Sequence, residues 1–304
     1  MGAFYLFGQN GRINLRKKEL LMTTIQDNWL TLADGQKMPQ QGFGVYKLTD
    51  PTVFTQTIQS AYDDGYRLFD TAQMYGNEAD LGMALKSLNV DRDDYFITTK
   101  VAESNQGYQK AIDSVKESLK KLQLDYVNLL LVHWPINGFF FETWRAFEDL
   151  KKDGLTKSIG VSNYGMVHLQ YLATQASEMP VVDQLECHPW LSEKPMIDFN
   201  KQHHIVTQAW APLGRGRIFE EPVIQELAQK YGKTPAQIIL RWHFQNGLSF
   251  IPKSAHASRI KENADIYDFA LTDQDMVQMD SINKNVRISQ EPELVYEFNQ
   301  QYPH

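Results

Sequence analysis

Four side chains that can hold or transfer a proton stand at, or just behind, the ends of apolar runs: Asp70, Tyr75, Lys100 and His133. A tyrosine with an ordinary pKa of about 10 gives up its proton reluctantly, and a nearby ammonium such as Lys100 would lower that pKa. A carboxylate at Asp70 would keep the lysine charged, and His133 would donate a hydrogen bond that orients a substrate oxygen. Reduction of a carbonyl group needs a positioned acid with a tuned pKa. The pattern therefore predicts carbonyl reduction with Tyr75 as the proton donor.

These residues need a scaffold that brings them together. The sequence alternates short runs rich in β-branched and aromatic residues with longer segments of helical periodicity. The candidate strands are residues 42–46, 67–69, 95–99, 126–132, 158–161, 181–185, 206–210 and 249–251. The candidate helices are residues 53–64, 78–88, 108–122, 141–152, 166–175, 196–202 and 234–245. In residues 108–122, apolar side chains recur every three or four positions and predict one buried stripe, at Ile112, Val115, Leu119 and Leu122.

The alternation predicts an α/β fold, a (β/α)8 TIM barrel. Repeated strand–helix units give a parallel sheet with helices outside it, and eight such units close into a barrel whose active site lies at the carboxyl ends of the strands. An open doubly wound sheet is the alternative, but no Gly-x-Gly-x-x-Gly follows the first strand. Asp34-Gly35 between short extended runs predicts an N-terminal β-hairpin. The tail from about residue 280 to 304 is interpreted as a loop over the active-site mouth.

We expect residues 22–304 to form one domain. Met22 opens a stretch that resembles an ordinary protein start, so residues 1–21 are interpreted as an upstream misreading or a vector remnant. A natural disordered extension is the equally weighted alternative.

Composition excludes several classes of protein. The net charge is -7, so the chain lacks the excess of basic residues that is typical of a nucleic-acid-binding protein. The longest apolar run is far too short to span a bilayer, so no membrane association is expected. The single cysteine, Cys187, fits a reducing compartment, and we expect a cytoplasmic protein, monomeric or weakly dimeric, with no metal site.

Four spaced motifs resemble those of the aldo-keto reductases, in particular bacterial reductases of methylglyoxal, diketogluconate and other small carbonyl compounds. They are residues 65–78 (GYRLFDTAQMYGNE), 131–135 (LVHWP), 159–163 (IGVSN) and 251–254 (IPKS). The resemblance covers residues 29–282. It implies a (β/α)8 barrel that binds NADPH and NADP+, a small carbonyl substrate, and a catalytic group at Asp70, Tyr75, Lys100 and His133.

The resemblance also implies the cofactor contacts. The nicotinamide carboxamide would bond Ser162, Asn163 and Gln184, and its ring would stack on Trp210. The pyrophosphate would lie near Leu213 and Gly214, with Arg215 and Gly216 next in the chain. The 2′-phosphate would contact Lys253, Ser254 and Arg259, and the adenine Glu262 and Asn263. Lys and Arg suit a phosphate monoester because they donate charge-assisted hydrogen bonds.

The substrate pocket is expected at Tyr46, Met74 and Trp134. Tyr46 closes the first strand and could face the mouth with Trp134; ordinary packing at the barrel rim is the alternative for both. Met74 stands beside the proton donor where the family commonly has a small residue, so it would narrow the pocket or contribute nothing. Ala211 stands where a serine is frequent, which would remove one cofactor hydrogen bond.

Two other functions remain open from the sequence. One is a cofactor-sensing, non-catalytic binding subunit with the same barrel, which the intact group of four argues against. The other is a barrel glycosidase with two carboxylates, Asp70 and Glu186, but that mechanism leaves the tyrosine and the lysine without a role.

Overall fold

The computed structural model describes residues 24–295, and the interpretation of residues 1–21 as an extension lies outside them. The strands of a small antiparallel hairpin are β1 (Trp29–Thr31) and β2 (Lys37–Pro39). The eight parallel strands of the main sheet are β3 (Phe43–Gly44), β4 (Leu68–Asp70), β5 (Phe96–Val101), β6 (Val127–Val132), β7 (Thr156–Ser162), β8 (Val182–Glu186), β9 (Val206–Trp210) and β10 (Ser249–Phe250). Their order in the sheet follows the chain, which is the topology expected of a (β/α)8 barrel.

Helices connect the strands and cover the outside of the sheet. Their bounds are Pro51–Asp63, Glu78–Leu88, Tyr108–Leu122, Phe140–Lys152, Met166–Leu172, Lys194–Gln202, Pro222–Tyr231, Pro235–Gln245, Ala257–Ala264 and Asp273–Ser281. The predicted stripe on Tyr108–Leu122 is largely confirmed, since Val115, Leu119 and Leu122 are buried and Ile112 is partly buried.

The sheet closes on itself, which rules out the open doubly wound alternative. Gln41 forms a parallel bridge with Phe250, and the amide of Gly42 donates to the Phe250 carbonyl at 2.9 Å. The amide of Gly44 continues the contact by donating to the Pro252 carbonyl at 3.1 Å. A Cβ at Gly44 would lie 3.2 Å from the Ile251 carbonyl oxygen, so glycine lets the two strands approach. The barrel prediction is confirmed.

The hairpin closes the end of the barrel opposite the site. Its strands pair from Trp29 with Pro39 to Thr31 with Lys37, and Gly35 provides the positive φ of 85° that the turn requires. Met38 is fully buried and belongs to the same apolar cluster as Leu68, at the start of β4. The amino-terminal end is therefore filled, and the carboxyl-terminal end is left for ligands.

Several predicted bounds were wrong. The strand expected at 42–46 is reduced to Phe43–Gly44. The helix expected at 166–175 ends at Leu172, after which the amides of Thr174 and Gln175 bond carbonyls only three residues back. The helices Pro222–Tyr231, Ala257–Ala264 and Asp273–Ser281 were not predicted. Pro222 at the first turn, and Thr272 bonded to Asp275, are start signals that could have located two of them.

Candidate active site

The sheet register places the four predicted catalytic residues together. Asp70 ends β4, Lys100 lies near the end of β5 and His133 directly follows β6, so all three reach the same edge. Tyr75 lies in a short 3-10 helix, Gln73–Tyr75, behind β4. The Nζ of Lys100 lies 2.5 Å from Asp70 Oδ1 and donates to the Tyr75 hydroxyl at 3.2 Å. The lysine thus links the carboxylate to the phenol.

Lys100 is fully buried and remains charged. Its Nζ also donates to the Thr71 carbonyl at 2.9 Å, so its three hydrogens all have acceptors. Burial alone would lower the pKa of Lys100, but the Asp70 carboxylate and the Tyr75 hydroxyl together raise it above its ordinary value. The ammonium is therefore a permanent feature of the site near neutral pH.

Tyr75 differs from the expectation drawn from the sequence. Burial raises the pKa of its hydroxyl above the ordinary value of 10.0, and Lys100 opposes this rise without overcoming it. Lys100 lowers the pKa of Tyr75 as predicted, but burial has the larger effect. The phenol therefore holds its proton at neutral pH. The ring packs at a centroid distance of 4.9 Å from Tyr46 and edge-on at 5.8 Å from His133.

His133 is neutral. Burial, and then the charge of Lys100, lower its pKa to about 3. Its Nδ1 atom is buried and has no hydrogen-bond partner among residues 24–295. A proton on Nδ1 would be a buried N–H without an acceptor, so we assign the neutral tautomer with the proton on Nε2. The ring then has a hydrogen-bond donor to offer in the cleft that it lines.

A second polar group lies at the ends of β7, β8 and β9. Asn163, held in the left-handed region with φ of 63°, donates to the His133 carbonyl at 2.9 Å and accepts from Trp210 Nε1 at 2.9 Å. The Ser162 hydroxyl donates to the Gln184 carbonyl at 2.8 Å. These bonds fix the side chains before any ligand arrives.

Gln184 connects this group to the first one. Its Nε2 donates to Asp70 Oδ2 at 2.7 Å and to Gln208 Oε1 at 2.6 Å. Both hydrogens of the side-chain amide are therefore engaged. The side-chain oxygen, Oε1, is the atom of this amide that is left to accept a hydrogen bond from a ligand.

Both groups open into one cleft of about 1010 Å³. Most residues predicted for the cofactor or the substrate line it: Tyr46, Met74, Trp134, Ser162, Asn163, Gln184, Trp210, Leu213, Lys253, Ser254, Arg259, Glu262 and Asn263. Gly214 does not line the cleft; it is buried in the turn beside it, with φ of 56°. Lys100 lies behind the wall that Asp70 and Tyr75 form.

The cofactor end of the cleft is rich in positive charge. Lys47, Arg215, Lys253 and Arg259 line it, and none forms an ion pair within residues 24–295. Burial, and then the charge of Lys47, lower the pKa of Lys253. Unpaired cations gathered in a cleft suit a ligand with several phosphates, so these residues fit NADPH.

Sequence reasoning missed several residues that line the cleft, notably Lys47, Glu103, Ser289 and Gln290. Lys47 follows the predicted Tyr46 directly and could have been found by extending the strand-end pattern by one residue. Glu103 and the two tail residues depend on loop paths, which hydrophobic periodicity does not determine.

Glu186 holds the C-terminal tail over the mouth. Its buried carboxylate accepts hydrogen bonds from the Ile288 amide at 2.6 Å and from the Ser289 hydroxyl, and it lies 3.0 Å from His188 Nε2. Hydrogen bonds from these groups lower the pKa of Glu186, although burial opposes them. The carboxylate does not line the cleft, so it is not placed as the partner of Asp70 in a glycosidase.

Three consecutive phenylalanines, residues 139–141, follow His133 in the chain, and Phe140 and Phe141 anchor the start of the helix Phe140–Lys152. Phe140 is buried against Tyr164 and Tyr171, and Phe141 packs on Tyr171 at a centroid distance of 4.7 Å. Within the described residues, no three His, Cys, Asp or Glu side chains group as metal ligands would. In the same part of the chain, no helix combines the length and apolar character needed to cross a bilayer.

Comparisons with known proteins agree with this geometry. A model described as "Aldo/keto reductase family" matches residues 42–284. The chain is 41% identical over 271 residues to glyoxal reductase of Bacillus subtilis (strain 168), covering 89% of this chain and 98% of that protein. It is 42% identical over 268 residues to methylglyoxal reductase DkgA of Escherichia coli (strain K12), covering 87% and 96%. The crystal structure of a Gox0644 variant in complex with NADPH is similar, with a TM-score of 0.83 and 38% identity, covering 88% of this chain and 97% of that one.

Proposed function

The chain belongs to the aldo/keto reductase family, and on that premise we propose that it reduces small aldehydes and ketones to alcohols with Tyr75 as the proton donor. It is an NADP-dependent oxidoreductase that acts on carbonyl compounds. Two relatives are named for glyoxal and methylglyoxal, which are small dicarbonyl compounds, and this supports a substrate of similar size.

One observation carries the assignment of the proton donor. The Lys100 ammonium lies between Asp70 and the Tyr75 hydroxyl, with the tyrosine at the wall of the cleft and the lysine behind it. Because burial raises the pKa of Tyr75, the phenol is protonated when a carbonyl compound binds. The charge of Lys100 then stabilises the phenolate that remains after the proton has moved to the carbonyl oxygen.

His133 orients the substrate. The neutral ring would donate from Nε2 to the carbonyl oxygen, which places that oxygen next to the Tyr75 hydroxyl. A neutral donor suits this role because it positions the oxygen without competing to protonate it.

NADPH, when bound, supplies the hydride that reduces the carbonyl carbon. Asn163, Ser162 and the free carbonyl oxygen of Gln184 would hold its carboxamide, and the Trp210 ring would cover the nicotinamide. Lys253 and Arg259 would receive the 2′-phosphate, which favours NADPH over NADH.

The test is a steady-state assay of purified protein with NADPH and a panel of aldehydes, ketones and dicarbonyl compounds. We expect NADPH to be consumed with several panel members and an alcohol to form in equal amount. Tight NADPH binding without turnover of any member would contradict the proposal and favour a cofactor-sensing binding subunit.

A further inference from the structure

Glu103 places a carboxyl group on the lining of the cleft, next to loops that carry proposed walls of the substrate pocket. It begins the short 3-10 helix Glu103–Asn105 after β5 and lines the cleft. Asn105 Nδ2 donates to Gln73 Oε1 at 2.9 Å, which ties this helix to the turn that carries Met74. Gln106 Nε2 donates to the Trp134 carbonyl at 2.7 Å. Glu103 therefore lies between two loops that carry proposed pocket walls.

In the part of the chain that the structure describes, no cation pairs with the Glu103 carboxylate. It forms no salt bridge within residues 24–295, and the dominant influence on its pKa is burial, which raises it. Elsewhere at this end of the cleft, His133 is neutral and the charge of Lys100 is matched by Asp70.

Among residues 24–295, the cations that line the cleft without an ion pair are Lys47, Arg215, Lys253 and Arg259. Lys47 Nζ lies 5.4 Å from the ring centroid of Tyr46, and its charge adds to burial in lowering the pKa of Lys253, so Lys47 lies between the two ends. The phosphates of a bound NADPH would offset these cations. Among the described residues that line the cleft, Glu103 is then a negative charge without an ion pair for a carbonyl compound that binds beside Tyr75. Two like charges several ångströms apart in a partly desolvated cleft repel each other measurably.

We propose that Glu103 makes this pocket select uncharged carbonyl compounds, such as neutral aldehydes and α-dicarbonyls, over aldehydes and ketones that bear a carboxylate. The inference rests on the proposed carbonyl reduction. It assigns Glu103 as a residue that determines specificity and takes no part in the proton transfer at Tyr75.

The test compares two probes of similar shape, one charged and one neutral: para-carboxybenzaldehyde and its methyl ester. The readout is the ratio of kcat/KM for the acid to kcat/KM for the ester, at about pH 8, where an exposed carboxyl group is ionised. In Glu103→Gln we expect this ratio to rise about three- to tenfold, and in Glu103→Lys to rise further. In the wild-type protein, added salt should raise the ratio by screening the repulsion. Glu142→Gln changes an exposed carboxylate away from the cleft and should leave the ratio unchanged.

The outcomes separate this inference from the proposed function. If both probes are reduced and the ratio is the same in the wild type and in both Glu103 variants, the selection by charge is wrong and carbonyl reduction stands. If NADPH binds but the wild type reduces neither probe nor any other carbonyl compound, the proposed function fails and the inference fails with it. Should Glu103→Lys not fold, as judged by NADPH binding, Glu103→Gln and the salt dependence still decide.

Discussion

The side-chain amide of Gln184 donates a hydrogen bond to Asp70, with 2.7 Å between Nε2 and Oδ2. A residue proposed to hold the nicotinamide is thereby bonded to the carboxylate that keeps Lys100 charged. Binding of the cofactor and the charges around the proposed proton donor therefore both depend on this buried hydrogen bond.

We expect Gln184→Leu to lower kcat and to raise the NADPH dissociation constant, each about tenfold, because a buried carboxylate loses a donor and the cofactor loses an acceptor. Fluorescence titration and steady-state kinetics measure the two effects. Gln208→Leu, which removes the neighbouring amide away from the cleft, should change the dissociation constant less than about threefold. A Gln184 variant that loses affinity but keeps the wild-type kcat would contradict the coupling.

Tyr75→Phe should reduce kcat by about 10²- to 10⁴-fold, the usual contribution of a positioned general acid. Binding of NADPH should change little, since the phenol is not among the proposed cofactor contacts. Tyr46→Phe is the matched control, because it removes a hydroxyl from the ring that packs at 4.9 Å on Tyr75. Comparable loss of kcat in both variants would refute the assignment of Tyr75.

The pH dependence of the two reaction directions should differ. Burial raises the pKa of Tyr75, so reduction should lose rate only above the ordinary tyrosine pKa of 10.0. Alcohol oxidation needs the phenolate and should gain rate as the pH rises towards that value. His133 has a pKa of about 3, so it adds no ionisation between about pH 5 and 8. A step in kcat/KM near the ordinary histidine pKa that disappears in His133→Gln would show that His133 titrates there.

Arg259→Ala should raise the dissociation constant for NADPH much more than that for NADH, about tenfold against less than twofold, because only NADPH carries the 2′-phosphate. Arg217→Ala, an exposed arginine that does not line the cleft, is the control and should affect neither cofactor. Equal weakening of both cofactors by Arg259→Ala would argue that this side chain contacts another part of the nucleotide.

Glu186→Ala should release the tail that carries Ser289 and Gln290. We expect KM for the carbonyl substrate to rise several-fold, while the dissociation constant for NADPH rises less. Limited proteolysis should cut residues 283–291 faster than in the wild type. Ser289→Ala removes one of the donors to Glu186 and should have a smaller effect of the same kind. Unchanged proteolysis in Glu186→Ala would mean that the other contacts of the tail hold it, among them Arg287 with Glu193 at 2.6 Å and the Lys284 and Val286 amides with the Trp190 carbonyl.

The sequence predicted the barrel and its mouth because both follow from local patterns. Each apolar run that ends on Asp70, Lys100 or His133 can be recognised as a strand from its own residues. Parallel pairing of these strands then brings their ends together. The helix Ala257–Ala264 escaped prediction because it has only eight residues and no side-chain cap at His256. Glu103 was missed because its place depends on hydrogen bonds from Asn105 and Gln106 to distant loops. The net pKa of Tyr75 depends on burial, which spacing along the chain does not reveal.

The bond between Glu186 and the tail also bears on the order in which the site is assembled during synthesis. Ser289 and Gln290 follow all eight barrel strands in the chain, so the ribosome makes this wall of the cleft after the residues that hold the cofactor. A domain generally folds as a unit, and the barrel closes only when Phe250, at the end of β10, pairs with Gln41, so the tail can dock on Glu186 only late in synthesis. The wall formed by Ser289 and Gln290 would then be the last part of the cleft to take its place.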